Sequence, residues 1–276
     1  MEARDFGLAD SRGDDRTIAV NGGKLYYEEH GAGTPLVLIH AGLMSSATWA
    51  PLLPDLTDGF RVITPDSRGH GRSTNPGGVL SYAQIADDIA SLIAALRLVR
   101  PVVGGYSDGG QIALELGARH PEAAGALIVG AAYPDFAGSG LREGVEAFLG
   151  ADDTGTVDLE QLDATLGDAA GYLKSLHPGG DKQWRALVQQ SASMWLDYEG
   201  LTADEVRRIE VPTLVFTGDR DDQISLDLMV SLYRSLPNAE LAVWPDTDHY
   251  APMSPERAGM FASMIRDFAG RHGKER

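Results

Sequence analysis

The feature that most constrains this chain is a rhythm. A short continuous apolar run, a turn and an amphipathic helix recur along most of its 276 residues. The runs are Pro35–His40, Arg61–Thr64, Pro101–Gly105, Ala126–Gly130, Thr213–Gly218 and Glu240–Trp244. Strands that read as unbroken apolar runs are buried on both faces, as in a parallel sheet. Two further strands precede them, Thr17–Val20 and Lys24–Glu29, with Asn21-Gly22-Gly23 as the hairpin turn between them. The expected fold class is α/β: a mostly parallel central sheet of about eight strands, flanked by helices and joined by right-handed crossovers.

Three helices are legible from their periodicity. Ser81–Leu96 opens with Ser81 and Gln84 at capping-box spacing, then places Ile85, Ile89, Leu92, Ile93 and Leu96 on one face. Ser107–Arg119 follows the third long run, and Ser254–Phe268 closes the chain with Pro255 at the first helical position. From Tyr133 to Arg208 the rhythm stops. Helical patterns continue there, with Thr202 and Glu205 again at capping-box spacing, but no convincing strand appears. A stretch of about 75 residues is too long for a structureless loop. It reads as a helical cap, 133–208, inserted into a core formed by 16–132 and 209–276, with residues 1–15 as a flexible tail.

Composition narrows the function. The 43 % apolar content supports a large core and excludes global disorder. The absence of cysteine excludes disulfides, thiolate metal sites and a cysteine nucleophile, and fits a cytoplasmic location. No apolar run reaches the roughly 18 residues of a membrane span, and the first residues lack the apolar stretch of a secretory signal. With 40 acidic against 23 basic side chains, a net −17, the chain repels phosphate backbones and anionic lipid. The expected partner is a small molecule, not a nucleic acid or a membrane. No phosphate-binding glycine loop, dinucleotide fingerprint or calcium loop is present, so no cofactor or metal is expected.

Gly105-Tyr106-Ser107-Asp108-Gly109 matches G-x-S-x-G, set between a strand and a helix. In that setting the serine sits on a sharp turn with its oxygen above the sheet, and side chains at 105 and 109 would collide as the chain doubles back. A serine hydroxyl needs a base to become a nucleophile. Of seven histidines, His249 follows the Glu240–Trp244 strand, in a loop at the C-terminal end of a strand, where open α/β sheets bind ligands. His30, His40, His70, His120, His177 and His272 read as structural or solvated. The base needs an orienting carboxylate. Asp219, Asp221 and Asp222 all follow the Thr213–Gly218 strand, and Asp135 is a more distant alternative. Asp108 has two readings: a carboxylate favoured by the start of a helix, or an anion placed to attract a substrate ammonium. Leu43, Met44, Trp49, Tyr106, Tyr133, Met194, Trp195 and Tyr250 are candidates for lining an apolar acyl pocket, and equally for filling a core.

Over about residues 16–270 these motifs, in this order, resemble those of the α/β-hydrolase superfamily. His40-Ala41-Gly42 is similar to its His-Gly oxyanion motif, with alanine for one glycine. Asp66-Ser67-Arg68-Gly69-His70-Gly71-Arg72-Ser73 is similar to its D-x-R-G-H-G-x-S loop. Gly218-Asp219-Arg220-Asp221 is similar to its G-D-x-D turn, although Asp248 stands before His249 where a glycine is customary. Gly105–Gly110 also resembles the biphenyl-hydrolase-like and valacyclovir-hydrolase-like branch. The resemblance implies Ser107 as nucleophile, His249 as base and Asp221 as its orienting acid, with Asp222 the next choice. It also implies an oxyanion hole from the backbone N–H groups of Gly42 and Asp108, with Leu43 as an alternative donor. The implied reaction is hydrolysis of a small carboxylic ester. Lactone opening, carbon–carbon bond hydrolysis and perhydrolysis use the same groups, and a non-catalytic ligand-binding protein on this fold is a further alternative. Epoxide hydrolases and haloalkane dehalogenases, which place an aspartate at the nucleophile position, are excluded by Ser107.

Overall fold

Asn21 and Gly22 both take positive φ, 41° and 79°. That is the twist a two-residue hairpin turn requires, and it folds β1 (Thr17–Val20) against β2 (Gly23–His30). The structure is a computed structural model, and it describes residues 16–133, 141–152, 155–250 and 254–273. The tail expected at 1–15, and Asp135, lie outside the described residues.

The hairpin leads into β3 (Ala32–Ile39), β4 (Asp58–Pro65), β5 (Val102–Tyr106), β6 (Ala126–Gly130), β7 (Thr213–Gly218) and β8 (Ala239–Trp244). They form one eight-stranded sheet in the order β1-β2-β4-β3-β5-β6-β7-β8. Only the β1–β2 and β2–β4 pairings are antiparallel. Every residue of β5, β6 and β7 is buried, which is why these strands lack polar alternation. β3 and β4 begin three residues before their apolar runs, because Ala32-Gly33 pairs in register with Asp58-Gly59. Backbone pairing carries these positions, and hydropathy does not report it.

Among the helices are α1 (Leu53–Leu56), α2 (Tyr82–Ala95) and α3 (Asp108–Arg119). Ser81 Oγ accepts the N–H of Gln84 at 3.1 Å and so starts α2. Ile85, Ile89, Leu92 and Ile93 are then buried on its inner face. Burial of such a side chain contributes about 1.5–3 kcal/mol, and Ile89→Ala would cost about 2–5 kcal/mol.

Between β6 and β7 come α4 (Leu141–Leu149), α5 (Leu159–Leu166), α6 (Ala169–Ser175), α7 (Gly180–Asp197) and α8 (Ala203–Arg207). Among the described residues of this stretch the extended pairing is one isolated bridge, Ala151 with Val157. α8 opens with a complete capping box between Thr202 and Glu205. After β7, α9 (Leu226–Ser235) leads to β8, and α10 (Ala258–His272) closes the sheet domain. α10 starts later than the sequence suggested. The N–H of Arg257 bonds the carbonyl of Ser254 at 3.1 Å, so Pro255 lies in a preceding turn and not in the helix.

Candidate active site

β5 ends at Tyr106 and α3 begins at Asp108, so Ser107 alone makes the turn. Its backbone has φ 56° and ψ −125°. A non-glycine residue there stores strain of about 1–3 kcal/mol. Two hydrogen bonds hold it: Ser107 N–H to the Gly130 carbonyl and Gln111 N–H to the Ser107 carbonyl, both 2.9 Å. A Cβ on Gly105 would come within 2.6 Å of the Gly109 carbonyl carbon, and one on Gly109 within 2.8 Å of the His40 oxygen. The collision expected at 105 and 109 is therefore the physical reason for both glycines.

Ser107 Oγ lies 3.1 Å from Nε2 of His249. The other ring nitrogen, Nδ1, lies 3.0 and 2.9 Å from the two carboxylate oxygens of Asp221. Both side chains are buried, at 3 % and 0 % exposure. Of the aspartates left open by the sequence, geometry therefore brings Asp221 to His249. Asp219 instead accepts the N–H of Thr247 at 3.3 Å and braces the histidine loop, while Asp222 is exposed. Burial raises the Asp221 pKa, but the hydrogen bond and charge of His249 and the N–H groups of Ile224 and Gln223 outweigh it. The carboxyl stays below its ordinary value. An ionised Asp221 keeps the proton on Nδ1 and leaves Nε2 as an acceptor facing the serine hydroxyl.

Tyr106, a candidate for the acyl pocket, is instead wholly buried. Its hydroxyl donates to Asp221 at 3.1 Å and its ring packs on Phe216 and His249. Trp49 is likewise core, beside Phe261. Leu43, Tyr133 and Met194 are buried, whereas Met44 and Trp195 are partly buried and pack on the core. Tyr250 is half exposed, edge-on to His249, and its hydroxyl accepts from Gln223.

The turn Ala41–Met44 is closed by Met44 N–H on the Ala41 carbonyl at 3.2 Å, with Leu43 at φ 56°. His40 fixes the same carbonyl. Its Nε2 accepts the Ser67 N–H at 2.9 Å, so Nδ1 carries the proton and donates to Ala41 O at 2.8 Å. The Ala41–Gly42 peptide plane is thereby held, with the Gly42 N–H at its opposite end. His177, in the α6–α7 connection, accepts the Gly71 N–H on Nδ1 at 2.9 Å and donates from Nε2 to the Leu43 carbonyl at 3.1 Å. Both rings are needed neutral. Burial lowers the pKa of His40, His70 and His177 alike.

The D-x-R-G-H-G-x-S loop is held both by its own residues and by neighbouring elements. Asp66 accepts the N–H groups of Ser46 and Arg72 at 2.7 and 2.8 Å. Arg68 pairs twice with the buried Asp88, at 2.6 Å each.

Asp108 answers neither sequence reading simply. Its carboxylate accepts from Tyr82 Oη at 2.6 Å and from Trp195 Nε1 at 3.0 and 2.9 Å. Burial raises its pKa, and these donors offset part of the rise. Sequence reasoning missed Tyr82, Asp88 and the positioning contacts of His177. Tyr82 and Asp88 sit inside α2, where they read as ordinary helix positions, and no local pattern marks their distant partners.

Comparison with known proteins places these features in context. The profile of a family described as the alpha/beta hydrolase family matches residues 36–262. A 2-hydroxymuconate semialdehyde hydrolase of Pseudomonas sp. (strain CF600) is 30 % identical over 272 residues, spanning 92 % of this chain and 93 % of that protein. A non-heme haloperoxidase of Rhodococcus erythropolis is 34 % identical over 258 residues, spanning 84 % of this chain and 91 % of that one. Among solved structures, a thermophilic esterase from Thermogutta terrifontis superposes with a TM-score of 0.71 at 26 % identity, covering 94 % of this chain and 97 % of the other.

Proposed function

This chain belongs to the alpha/beta hydrolase family, and on that basis we propose that it is a serine hydrolase cleaving a small carboxylic ester through an acyl-enzyme. The observation that carries this reading is the line Ser107 Oγ to His249 Nε2 at 3.1 Å and His249 Nδ1 to Asp221 at 2.9 Å. Ser107 attacks the ester carbonyl as His249 takes its proton. His249, now an imidazolium stabilised by Asp221, delivers that proton to the departing alcohol. Water then repeats the sequence on the acyl-enzyme. The tetrahedral oxyanion is held by the backbone N–H groups of Asp108 and Gly42, each such donor worth about 3 kcal/mol in sites of this kind. The peptide plane held by His40 supports Gly42, ahead of Leu43, as the second donor. Helices α4–α8 act as the cap over the site.

The carboxylate of Asp108 beside the nucleophile suggests an amino-acid ester, whose ammonium it would attract. The two neutral donors already on Asp108 favour an uncharged acyl group instead. Carbon–carbon bond hydrolysis and perhydrolysis form the second reading, supported by the names of the two relatives. Hydrolysis of p-nitrophenyl esters from acetate to octanoate, by wild type and Ser107→Ala in parallel, tests the proposal. Turnover that disappears in the variant supports it. Turnover that survives removes Ser107 as nucleophile. Labelling by a fluorophosphonate without ester turnover shifts weight to the second reading.

A further inference from the structure

The carboxylate next to the nucleophile is held by two different parts of the chain. Tyr82, at the start of α2, donates to one oxygen at 2.6 Å. Trp195, near the end of α7 in the insertion, donates its single N–H between both oxygens, at 3.0 and 2.9 Å. Through Asp108 the indole is thus bound to the first residue of the nucleophile helix.

The same edge of the indole also meets the oxyanion turn. A Cβ on Gly42 would lie 2.8 Å from Cζ2 of Trp195 and 2.7 Å from Oδ2 of Asp108. Real side-chain carbons do not tolerate such distances, so the indole and the carboxylate together occupy the space a side chain at 42 would fill. Gly42, Asp108 and Trp195 form one interlocked unit, and two of them supply the proposed oxyanion donors. The indole therefore lies directly against Gly42, which supplies one of those donors. Phe148 of α4, with its ring centre 6.5 Å from that of Trp195, flanks the indole.

We propose that Trp195 is the wall against which the acyl group packs, and that Asp108 is the positioning residue that holds this wall in place. The proposal rests on the serine-hydrolase reading and deepens it. The acyl side of the site is bounded by an indole supplied from the insertion, so the enzyme selects short, uncharged acyl groups. Asp108 then serves less as a receptor for a substrate cation than as a clasp between insertion and sheet domain.

The test is the acyl-length profile of kcat/KM on p-nitrophenyl esters, with labelling rates of short-chain and long-chain alkyl fluorophosphonates as a second readout. Wild type is compared with Trp195→Ala, Trp195→Phe and Asp108→Asn. The octanoate-to-acetate ratio is expected to rise about tenfold or more in Trp195→Ala, the scale that added methylenes in an apolar pocket provide. In Trp195→Phe and Asp108→Asn, which keep a ring but loosen its anchor, the expected rise is smaller, about threefold. A uniform loss across all chain lengths, with the ratio unchanged, overturns the wall and leaves Trp195 a structural residue. A ratio that moves in Trp195→Ala but in neither anchor variant overturns the role of Asp108. If wild type labels but turns over no ester, the labelling ratio decides the same question. If wild type is not labelled at all, the serine-hydrolase reading itself fails and the wall with it.

Discussion

His249 and Ser107 stand 142 positions apart in sequence and meet at 3.1 Å, imidazole Nε2 to hydroxyl oxygen. The contact needs a serine turn at the end of one strand and a histidine loop at the end of another, with a parallel sheet between them. Its consequences can be measured.

Removing either end of this line should remove turnover. Ser107→Ala is expected to lower kcat for a p-nitrophenyl ester by about 10⁴-fold or more. Asp221→Asn keeps the shape of the carboxylate but favours the wrong imidazole tautomer, and should cost about 10⁴-fold. Steady-state kinetics on purified variants with matched far-UV spectra decide this. More than a tenth of wild-type turnover in either variant would sink the assignment.

Tyr106→Phe separates two roles for one residue. The ring stays in the core, but the hydroxyl donated to Asp221 at 3.1 Å is lost. A hydrogen bond to a charged group is worth about 1.5–3 kcal/mol, so kcat should fall roughly 10- to 100-fold with KM nearly constant. A change confined to KM would return Tyr106 to the substrate pocket.

Acid should destabilise the protein between about pH 6.5 and 5. His40, His70 and His177 are buried with lowered pKa values. Below the ordinary histidine value of about 6.5, the unfolded chain takes up protons that the folded chain refuses. Stability then falls with pH, by up to about 1.4 kcal/mol per unit for each histidine. Asp108 and Glu115 have raised pKa values and oppose this, since the folded state protonates first. Denaturant melts across this window measure the slope, and His177→Gln should make it shallower. A slope of the opposite sign would mean the two carboxyls outweigh the histidines.

Two glycine substitutions should have opposite signs. On Gly110 a Cβ would overlap the Gly130 carbonyl oxygen, whereas on Gly171, in α6, it would meet nothing within 4 Å. Gly110→Ala is expected to cost about 1–3 kcal/mol by overpacking. Gly171→Ala should stabilise by about 0.5–1 kcal/mol through helix propensity. Thermal unfolding of both variants checks the pair, and equal effects would contradict the packing described around β6.

What the sequence determined by itself is local or periodic. Six strands announce themselves as apolar runs and the first two as a hairpin around Asn21-Gly22, so all eight were legible along the chain. The strand-turn-helix around Ser107 and the loop of His249 were legible because turn geometry restricts residue type over a few neighbouring positions. Tertiary structure alone decided which groups meet. Asp219, Asp221 and Asp222 share one short acidic turn, and only the register of β7 beside β8 sets Asp221 against the imidazole. Tyr106 looked like a pocket aromatic until its hydroxyl found Asp221. The partners of Asp108 lie 26 and 87 positions away, on α2 and α7. Hydrogen bonds of that separation depend on how whole helices dock on the sheet. Docking is set by the summed burial of many side chains, so no residue near Asp108 in sequence carries a record of it.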